Sequence, residues 1–451
     1  MSDMLSIGAS GVYAYQNAMA TVSENIANTG VAGYSRRSTT LAEVLTTGGG
    51  IASRNTTAGQ GVVATGIARA GDVYKTQAVR SSAADLAKTQ TGATWLDRIQ
   101  TALTGNSLGD QLTAFYASAT TLAADPTSSA SRSTMLGRAT TAAASLTATG
   151  GALQSVGDDL DSTAQGAVST LTNLGQTLAK INDGLSRTAP NTTAAAGLSD
   201  QRDSVLDQMS AITDISVTTD QAGRATVNVG GTGGTGGPVL VSGSDSASVA
   251  YSRNAGGAVG FNVDMNGSVS TLSPNGGALA GIVDGAQKVA DATIGLNGIA
   301  TDFTTQVNTV QAQGRDLNGQ PGAAIFATGT TPADVTVALN DPNGIAAASV
   351  GGGTRDGSNL DALQAVRTSS AVETRTTTLV AGNAAALAQR QSVATAQTAI
   401  HDGAVSARDA VSSVDLDTEA VDLLRFQQAY SAASRVIQVA RDTFQSIIAI
   451  N

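Results

Sequence analysis

The chain contains no cysteine, a single histidine and four lysines, and aromatic residues make up 3% of its 451 positions. Without cysteine it forms no disulfide, no thiol nucleophile and no cysteine-ligated metal site. One histidine, His401, leaves little material for a zinc centre or for acid–base catalysis. These absences already exclude several classes of enzyme and of disulfide-stapled secreted domain.

Positive charge is also scarce, with 25 Lys and Arg residues against 35 Asp and Glu. An acidic chain without a basic stripe argues against nucleic-acid binding. No stretch approaches the roughly 20 apolar residues that a membrane-spanning helix needs, so we expect no membrane insertion. The first residues, MSDMLSIGASGVYAYQ, have neither a basic start nor an unbroken apolar run, so we expect no cleaved secretory signal.

Several short motifs suggest chemistry, but their context argues against it. GNSLG at 105–109 fits the G-x-S-x-G pattern of serine hydrolases, with Ser107 as nucleophile and His401 downstream. That motif requires a strand before the serine, whereas the preceding TWLDRIQTAL has helical spacing. The glycine run at 230–237 lacks the lysine and hydroxyl of a phosphate loop, and RDLNGQPG lacks the distal glutamate of a calcium loop. We therefore expect no enzyme activity, no cofactor and no metal.

Most of the chain has a helical pattern. Residues 76–210 contain long segments rich in Ala, Leu and Thr. We expect helix breaks at Asp125-Pro126 and Ala189-Pro190, because proline disfavours a helical conformation in the residue before it. The helical pattern resumes at 279–313 and at 358–410, on either side of a stretch rich in Gly, Asn and Pro.

A β pattern interrupts the helical body at 213–278. Short runs of alternating residues are separated there by glycine, asparagine and aspartate, and Asn266-Gly267 is typical of a tight hairpin. Residues 60–75 also alternate, which predicts a short strand pair or an extended arm. The glycine run at 230–237 is a flexible loop by composition.

The two ends of the chain are the most strongly periodic segments. Apolar residues recur there at spacings of three and four, which places them on one face of a helix. The N-terminal seam consists of Leu5, Val12, Tyr15, Met19, Val22 and Ile26. The C-terminal seam consists of Leu423, Phe426, Tyr430, Ala433, Ile437, Ala440, Phe444 and Ile447.

These seams predict that the two ends pair with each other. A second N-terminal row, Gly11, Ala14 and Ala18, is small enough for another helix to approach closely. Ordinary core helices with apolar faces are the alternative explanation. An isolated pair of helices is only marginally stable in water, so we expect neighbouring copies to provide further burial.

Sequence motifs at both ends resemble those of bacterial flagellar rod, hook and hook-associated proteins. SENIANTGVAGYSRR (23–37) is similar to the family motif that follows the first helix, although Glu24 stands where the family commonly repeats asparagine. VDLDTEAVDLLRFQQAYSAASRVIQVARDTFQSIIAIN is similar to the family's terminal helix. GQGVVATGIARAGDVY (59–74) and GLSDQRDSVLDQMSAITDISV (197–217) also resemble the family, in its order along the chain. The Tyr-Ser-Arg and Arg-Phe-Gln-Gln residues favour the hook–filament junction proteins within it.

The resemblance implies a mainly α fold with an inserted β domain. Paired, coiled-coil-like terminal helices would form an inner domain from 1–60 and 400–451. A helical-bundle core would comprise 61–212 and 279–399, and a small outer β domain would comprise 213–278.

The resemblance also implies a structural role at the junction between flagellar hook and filament. The implied partners are the hook protein, the second junction protein (hook-associated protein 3) and further copies of this chain in a ring. A cytoplasmic export chaperone would cover the C-terminal helix. The location would be extracellular, after export through the flagellar type III channel. The implied assembly interface consists of the two terminal seams without Ala440. The chaperone would bind Leu423, Phe426, Tyr430, Ile437, Phe444 and Ile447.

The motif after the first helix predicts a specific turn, whose residues are Asn25, Asn28, Gly33, Tyr34 and Arg36. We expect the asparagine side chains to bond nearby backbone, and glycines 30 and 33 to adopt positive φ and redirect the chain. Tyr34 would anchor the following arm through packing and a satisfied hydroxyl. A generic helix C-cap is the alternative.

Two other functions remain as alternatives. The first is a different flagellar axial protein, namely a hook or filament subunit. The second, more remote, is a secreted serine hydrolase that uses Ser107.

Overall fold

The structure is a computed structural model that describes residues 2–44, 60–231 and 236–449. Long α-helices dominate it and a small β region is inserted between them, which confirms the expected mainly α class. The helices, in chain order, are α1 (Ser2–Ala27), α2 (Val73–Thr104), α3 (Leu108–Ala124), α4 (Ser129–Arg187), α5 (Thr193–Ile212), α6 (Gly277–Gln313), α7 (Ser358–Ser370), α8 (Val372–Ser412) and α9 (Leu416–Ile448).

The helical core is organised around α4, which runs unbroken for 59 residues. Leucines recur on its inner face at intervals close to whole numbers of turns, so one stripe of the helix stays buried along its length. The buried leucines are Leu146, Leu153, Leu160, Leu171, Leu178 and Leu185. A cluster of aromatic rings from α3, α6 and a short strand after α6 extends this core, with centroids 4.9 to 6.1 Å apart: Phe115, Tyr116, Phe303 and Phe326.

The predicted helix breaks occur at the prolines. α3 ends at Ala124, just before Asp125-Pro126, and Ser128 then caps α4 by accepting a hydrogen bond from the backbone N–H of Ser131. α4 ends at Arg187, before Ala189-Pro190. Proline therefore separates the core helices where the sequence indicates.

The β region lies between α5 and α6. Its strands are β3 (Ile215–Thr219), β4 (Ala225–Val229), β5 (Val239–Ser242), β6 (Asp245–Ser246), β7 (Ser248–Arg253), β8 (Val259–Met265) and β9 (Ser268–Leu272). They form antiparallel sheets with the orders β3-β4-β5-β6 and β7-β8-β9. Asn266 and Gly267 both have positive φ, 55° and 87°, and connect β8 to β9 as the Asn-Gly pair predicts. Within the glycine run, residues 232–235 lie outside the described residues.

Two local expectations differ from the structure. The strand expected at 60–75 is β2 (Val62–Arg69), but its antiparallel partner is β1 (Arg37–Glu43), far upstream. The helix expected at 358–410 is broken at Ala371, whose φ of 49° is left-handed. The break is held by Arg367, which donates two hydrogen bonds to the Glu373 carboxylate, and no proline or glycine marks it in the sequence.

The stretch between α6 and α7 is mostly irregular. It contains a short hairpin and a single 3-10 turn, which are β10 (Phe326–Thr328), β11 (Val335–Val337) and the turn Pro342–Gly344. The fully buried guanidinium of Arg132 organises this stretch, because it donates to the backbone carbonyls of Pro126 and Ile345 at 2.7 and 2.8 Å.

The terminal helices α1 and α9 run side by side, as the fold class predicts, and the structure shows that they are antiparallel. Gly8 lies against Ile437, Tyr15 against Phe426, and Asn25 against Glu419. The division into domains stays a prediction. Its boundary at 399/400 falls inside α8, which continues without a break to Ser412. Residues 1, 45–59 and 450–451 of the predicted inner domain lie outside the described residues.

The terminal helix pair and its anchoring network

Small residues allow α1 and α9 to approach closely. A Cβ atom at Gly8 would lie 2.7 Å from Ile437 Cγ1, and one at Gly11 would lie 3.1 Å from Ala433 Cβ. Ala14 and Ala18 continue this row along α1 and are almost fully buried. Gly8 and Gly11 therefore form part of the contact face of α1, next to Tyr15, whose ring stacks on Phe426 of α9.

The large seam residues are covered unevenly. In the predicted seam of α1, Val22 is buried, whereas Ile26 and Leu5 are exposed. The half-buried residues of this seam are Val12, Tyr15 and Met19. On α9 the half-buried seam residues are Leu423, Phe426, Tyr430, Ala433 and Ile437. Phe444 and Ile447, farther along α9, keep 54% and 50% of their surface exposed. The pair thus keeps much of its apolar surface in contact with water.

The turn after α1 is organised by the buried amide of Asn25. Its Nδ2 donates to the carbonyl of Arg37 at 2.8 Å and to Glu419 Oε2 at 2.9 Å. Its Oδ1 accepts from the Tyr34 hydroxyl at 2.8 Å and from the backbone N–H of Arg37 at 3.0 Å. Both donors and both acceptor positions of the amide are used, so the turn geometry is fully specified by one side chain.

The other residues of the predicted turn have simpler roles. Asn28 Nδ2 donates to the carbonyl of Glu24 at 2.8 Å, at the end of α1. Gly30 and Gly33 have φ values of 79° and 80°, a region that side-chain-bearing residues rarely adopt. The glycines therefore let the chain reverse direction between α1 and β1.

Arg36 connects the turn to the start of α9. Its Nε lies 2.6 Å from Glu419 Oε1, and a terminal nitrogen lies 3.2 Å from Asp422 Oδ2. The Glu419 side chain is fully buried, and its two oxygens are bound by Arg36 and Asn25. A buried carboxylate requires such partners, since desolvation would otherwise outweigh its attractions.

A second network joins the β1–β2 ribbon to the helical core. α5 presents three aspartates at spacings of three and four, so that they lie on one face: Asp200, Asp203 and Asp207. Arginines from four different elements bind this face: Arg37 of β1, Arg69 of β2, Arg80 of α2 and Arg408 of α8. We call these seven residues the Arg–Asp ladder.

The distances within the ladder are those of close ion pairs. Arg37 lies 2.9 Å from Asp200, Arg69 lies 2.9 Å from Asp203, and Arg80 lies 2.8 Å from Asp207. Arg69 Nε also lies 2.8 Å from Asp200 Oδ1, without the alignment of a hydrogen bond. The side chains of Arg37 and Arg80 are almost fully buried, so these pairs are shielded from solvent.

Burial and neighbouring charges shift the pKa of a carboxyl group in the ladder in opposite directions. Burial raises the pKa of Asp203, but Arg202, Arg69 and Arg80 outweigh it and hold that pKa below its usual value of 3.8. Burial also raises the pKa of Tyr34, although the Arg37 guanidinium over its ring opposes the shift. The tyrosine hydroxyl therefore keeps its proton and donates a hydrogen bond to Asn25 Oδ1.

Sequence reasoning identified the turn but missed both networks. Glu419 lies in a segment whose apolar periodicity drew attention to other positions, and nothing local predicts that it is buried. The spacing of Asp200, Asp203 and Asp207 on a predicted helix was a usable signal for an acidic face. Its arginine partners come from distant parts of the chain, so only the tertiary structure identifies them.

The structure also locates the residues of the catalytic alternative. Ser107 follows helix α2 and precedes α3, with a left-handed φ of 48°, so a strand does not lead into it. His401 Nδ1 lies 3.1 Å from the hydroxyl of Ser82, a different serine. In RDLNGQPG, the segment compared above with a calcium loop, Asp316 accepts hydrogen bonds from the backbone N–H groups of Asn318 and Gln320 and thereby caps a turn. Ser107 and His401 are thus not brought together as a catalytic pair.

Neither a metal cluster nor a membrane-spanning helix is found among the described residues. Across residues 2–44, 60–231 and 236–449, no group of three or more histidine, aspartate or glutamate residues is arranged to hold a metal ion. In the same part of the chain, no helix is long and apolar enough to cross a membrane.

The fold defines a class of mainly α proteins with a helical core, an inserted β region and a paired first and last helix that buried polar contacts hold together. Residues 94–326, more than half of the chain, match the family described as "Flagellar hook-associated protein FlgK helical domain". The chain belongs to this family. Residues 407–450 match a second family, "Flagellar basal body rod FlgEFG protein C-terminal".

Characterised relatives agree with this assignment. The chain is 26% identical to flagellar hook-associated protein 1 of Escherichia coli over 73% of this chain and 60% of the relative. It is 32% identical to the protein of the same name from Salmonella typhimurium over 30% of this chain and 24% of that relative. The chain thus spans less than two thirds of the length of these relatives.

A solved structure has a similar fold. It is described as the flagellar hook junction protein FlgK from Burkholderia pseudomallei, and it aligns with a TM-score of 0.50 and 21% sequence identity. The alignment covers 56% of this chain and 47% of that structure.

Proposed function

We propose that this protein is a structural, non-enzymatic component of the bacterial flagellum that joins the hook to the filament. Membership of the FlgK family supports this function. The observation that indicates how the protein would assemble is the pair of terminal helices, α1 and α9. Their large apolar side chains are partly exposed beside a turn that is rigidly anchored.

Assembly would occur through the outer faces of α1 and α9. Exposed apolar surface on a helix is usually covered by another chain, because water contact with it is unfavourable. Leu5, Ile26, Phe444 and Ile447 are the most exposed of the predicted interface residues. The networks around Asn25 and Asp203 would hold this surface in a fixed orientation relative to the core, as a repeated assembly requires.

The partners proposed from family membership are the hook protein on one side and hook-associated protein 3 on the other. Copies of this chain would form a ring between them. Before export through the flagellar type III channel, a cytoplasmic chaperone would cover the α9 seam, from Leu423 to Ile447. That seam needs protection because its apolar residues would promote aggregation in the cytoplasm.

The test is the position of the labelled protein on intact flagella. The chain has no cysteine, so Ser268→Cys on the exposed strand β9 provides a single site for a thiol-reactive dye. A short band between separately stained hook and filament is expected. Label along the whole hook or the whole filament would instead identify a hook or filament subunit, the nearest alternative.

A second measurement addresses the termini directly. Amide hydrogen exchange of the purified monomer would compare residues 1–60 and 400–451 with the core. Faster exchange at both ends than in the core is expected, because the pair completes its burial only with other subunits. Equal protection of ends and core would mean that the pair is already complete and that assembly uses another surface.

The hydrolase alternative predicts esterase activity that Ser107→Ala abolishes.

A further inference from the structure

Arg37 belongs to both polar networks, and each network holds a different part of it. The Asn25 amide binds the backbone of Arg37, with Nδ2 2.8 Å from its carbonyl oxygen and Oδ1 3.0 Å from its nitrogen. The Arg37 guanidinium lies 2.9 Å from the Asp200 carboxylate on α5. The terminal turn and the helical core are therefore joined through the backbone and the side chain of one residue.

Arg36 makes a second connection, through the end of α8. Its backbone N–H donates to the carbonyl of Ser412, the last residue of α8, at 2.8 Å. The Ser412 hydroxyl donates to the carbonyl of Arg408 at 3.1 Å, and the Arg408 guanidinium lies 3.2 Å from Asp207 on α5. Because the Arg36 side chain binds Glu419, this route also connects α9 to α5.

Together these contacts form a closed circuit through α5, β1, α1, α9 and α8. Both chain segments that connect the terminal helices to the core take part in it, namely the turn after α1 and the end of α8. The side chains of Asn25 and Glu419 are fully buried, and Arg37 and Asp200 are nearly so. Loss of one contact leaves a buried partner unpaired, which carries a desolvation cost and weakens the neighbouring contacts.

We propose that this circuit is a coupling device, through which the position of α9 against α1 controls the docking of the β1–β2 ribbon on the core. With Glu419 in place, Asn25 and Arg36 hold the turn so that Arg37 meets Asp200. When α9 moves away, the turn is released and the ribbon loses one of its anchors on α5. Coupling of this kind is reciprocal, so undocking of the ribbon also loosens the helix pair.

Amide hydrogen exchange of the purified full-length chain measures the coupling, because two backbone contacts report on opposite sides of the circuit. The N–H of Ile67 in β2 donates to the carbonyl of Asn191, between α4 and α5, at 2.7 Å and reports ribbon docking. The N–H of Arg36, bound to the end of α8, reports the terminal turn. Glu419→Gln should speed exchange of the Ile67 amide about tenfold, and Asp200→Asn should speed exchange of the Arg36 amide similarly. An Ile67 amide that exchanges at its original rate in Glu419→Gln would overturn the proposal.

A double variant distinguishes coupling from two separate losses. If the circuit opens as one unit, Glu419→Gln/Asp200→Asn should raise the rate of Ile67 exchange by less than the product of the two single effects. The reason is that the second substitution removes a contact that the first has already weakened. Direct repulsion between the two carboxylates would give the opposite sign, because each single variant then relieves the same repulsion. Independent effects, or effects of that opposite sign, would overturn the coupling.

Asp161→Asn is the matched control. Asp161 lies 2.9 Å from Arg253 Nε and accepts a hydrogen bond from the Tyr251 hydroxyl, in a separate network between α4 and β7. This substitution should leave exchange of the Ile67 amide unchanged, both alone and combined with Glu419→Gln. A change as large as that of Asp200→Asn would mean that loss of any partly buried carboxylate loosens the ribbon, and the coupling would be refuted.

Arg37→Gln tests the connection itself. Its backbone can still bind Asn25, but its side chain no longer forms the ion pair with Asp200. In this variant, Glu419→Gln should accelerate exchange of the Ile67 amide less than it does in the chain with Arg37. An undiminished effect would show that the coupling does not pass through Arg37.

Exchange in α4 shows whether each variant keeps its core. Protection of α4 should be unchanged, so that the faster exchange at Ile67 is local. If Glu419→Gln also unfolds the core, Asp422→Asn provides the milder test, because it removes only the 3.2 Å contact to Arg36. It should still speed exchange of the Ile67 amide, by a smaller factor, and an unchanged rate there would overturn the coupling.

Discussion

Asn25 and Glu419, 394 residues apart in the sequence, are joined by a hydrogen bond of 2.9 Å from the asparagine amide to the glutamate carboxylate. The same amide binds Tyr34 and the backbone of Arg37, and the same carboxylate binds Arg36. One pair of side chains therefore fixes the end of α1, the turn after it and the first turn of α9. The two ends of the chain are positioned by a buried polar contact as well as by their apolar seam.

Removal of the Glu419 charge should loosen this contact. Glu419→Gln keeps the shape of the side chain but leaves Arg36 without its closest carboxylate. Breaking a buried pair in this way costs about 3 kcal/mol. The measurement is amide exchange in α1 and α9, which should become faster while α4 remains protected.

The control for this variant lies two residues earlier on the same helix. Asp417 is exposed in the first turn of α9, and Asp417→Asn should change exchange in the pair only slightly. Equal acceleration by both variants would mean that general charge on α9, rather than the Asn25–Glu419 contact, holds the ends together.

The Arg–Asp ladder should make the packing of the β1–β2 ribbon against the helical core sensitive to acid. Because the folded pKa of Asp203 is held below 3.8, its contribution to stability is present above about pH 4 and is lost as pH falls through the folded pKa. Asp203→Asn should therefore lower the free energy of unfolding by about 2 kcal/mol at pH 7 and by much less at pH 2. Urea unfolding at both pH values measures the difference.

A surface ion pair provides the comparison for the ladder. Asp183 and Arg187 form an exposed i,i+4 pair on α4 at 2.8 Å. Asp183→Asn should cost less than about 0.5 kcal/mol at pH 7, because solvent screens such pairs. A pH-independent effect of Asp203→Asn would contradict the assignment of its stabilisation to charge.

The sequence predicted the elements that depend on local signals. Helix breaks at Asp125-Pro126 and the hairpin at Asn266-Gly267 follow from backbone preferences of single residues, and the structure has both. The break at Ala371 was not predictable, because it depends on the Arg367–Glu373 pair and on the fit of α7 and α8 to the core. Local propensity does not record such long-range constraints.

The same distinction applies to the terminal site. The 3-4 periodicity indicated that both ends are amphipathic helices, and the small size of Gly11 and Ala14 indicated a close approach. Neither signal indicated which face of each helix would be buried within the chain and which face would remain exposed. The charges of Glu419 and Asp200 gave no sign of burial, since isolated acidic residues in helices are usually solvated.

Positive φ at Gly33 should make this position intolerant of other residues. A Cβ meets only Ser204 Cβ, at 3.8 Å, so the cost of Gly33→Ala is backbone strain rather than a clash, and about 1 kcal/mol is expected. Gly33→Asn should cost less, because asparagine tolerates the left-handed region. Gly33→Val should in addition prevent incorporation into flagella while the β region stays folded. Normal incorporation would refute the importance of the turn.

Gly137 is the matched control for this position. It lies inside helix α4, its φ is not positive, and a Cβ added there would meet no atom within 4 Å beyond the neighbouring backbone of its own helix. Gly137→Ala should increase the free energy of unfolding by up to about 1 kcal/mol, because alanine is the better helix former. If Gly33→Ala lowers the free energy of unfolding and Gly137→Ala raises it, the loss at Gly33 comes from conformational strain and not from the general effect of an added methyl group.

A double-mutant cycle should establish the close approach of α1 and α9. Gly8→Ala places a Cβ 2.7 Å from Ile437 Cγ1, closer than real Cβ contacts, so the Ile437 side chain or the two helices must shift. Ile437→Ala removes that atom at the cost of some burial. The double variant should protect α1 and α9 from exchange better than Gly8→Ala does alone, although the nearby backbone of Ala433 keeps the rescue partial. Additive effects of the two substitutions would mean that Gly8 and Ile437 do not touch, and that the ends pair in another register.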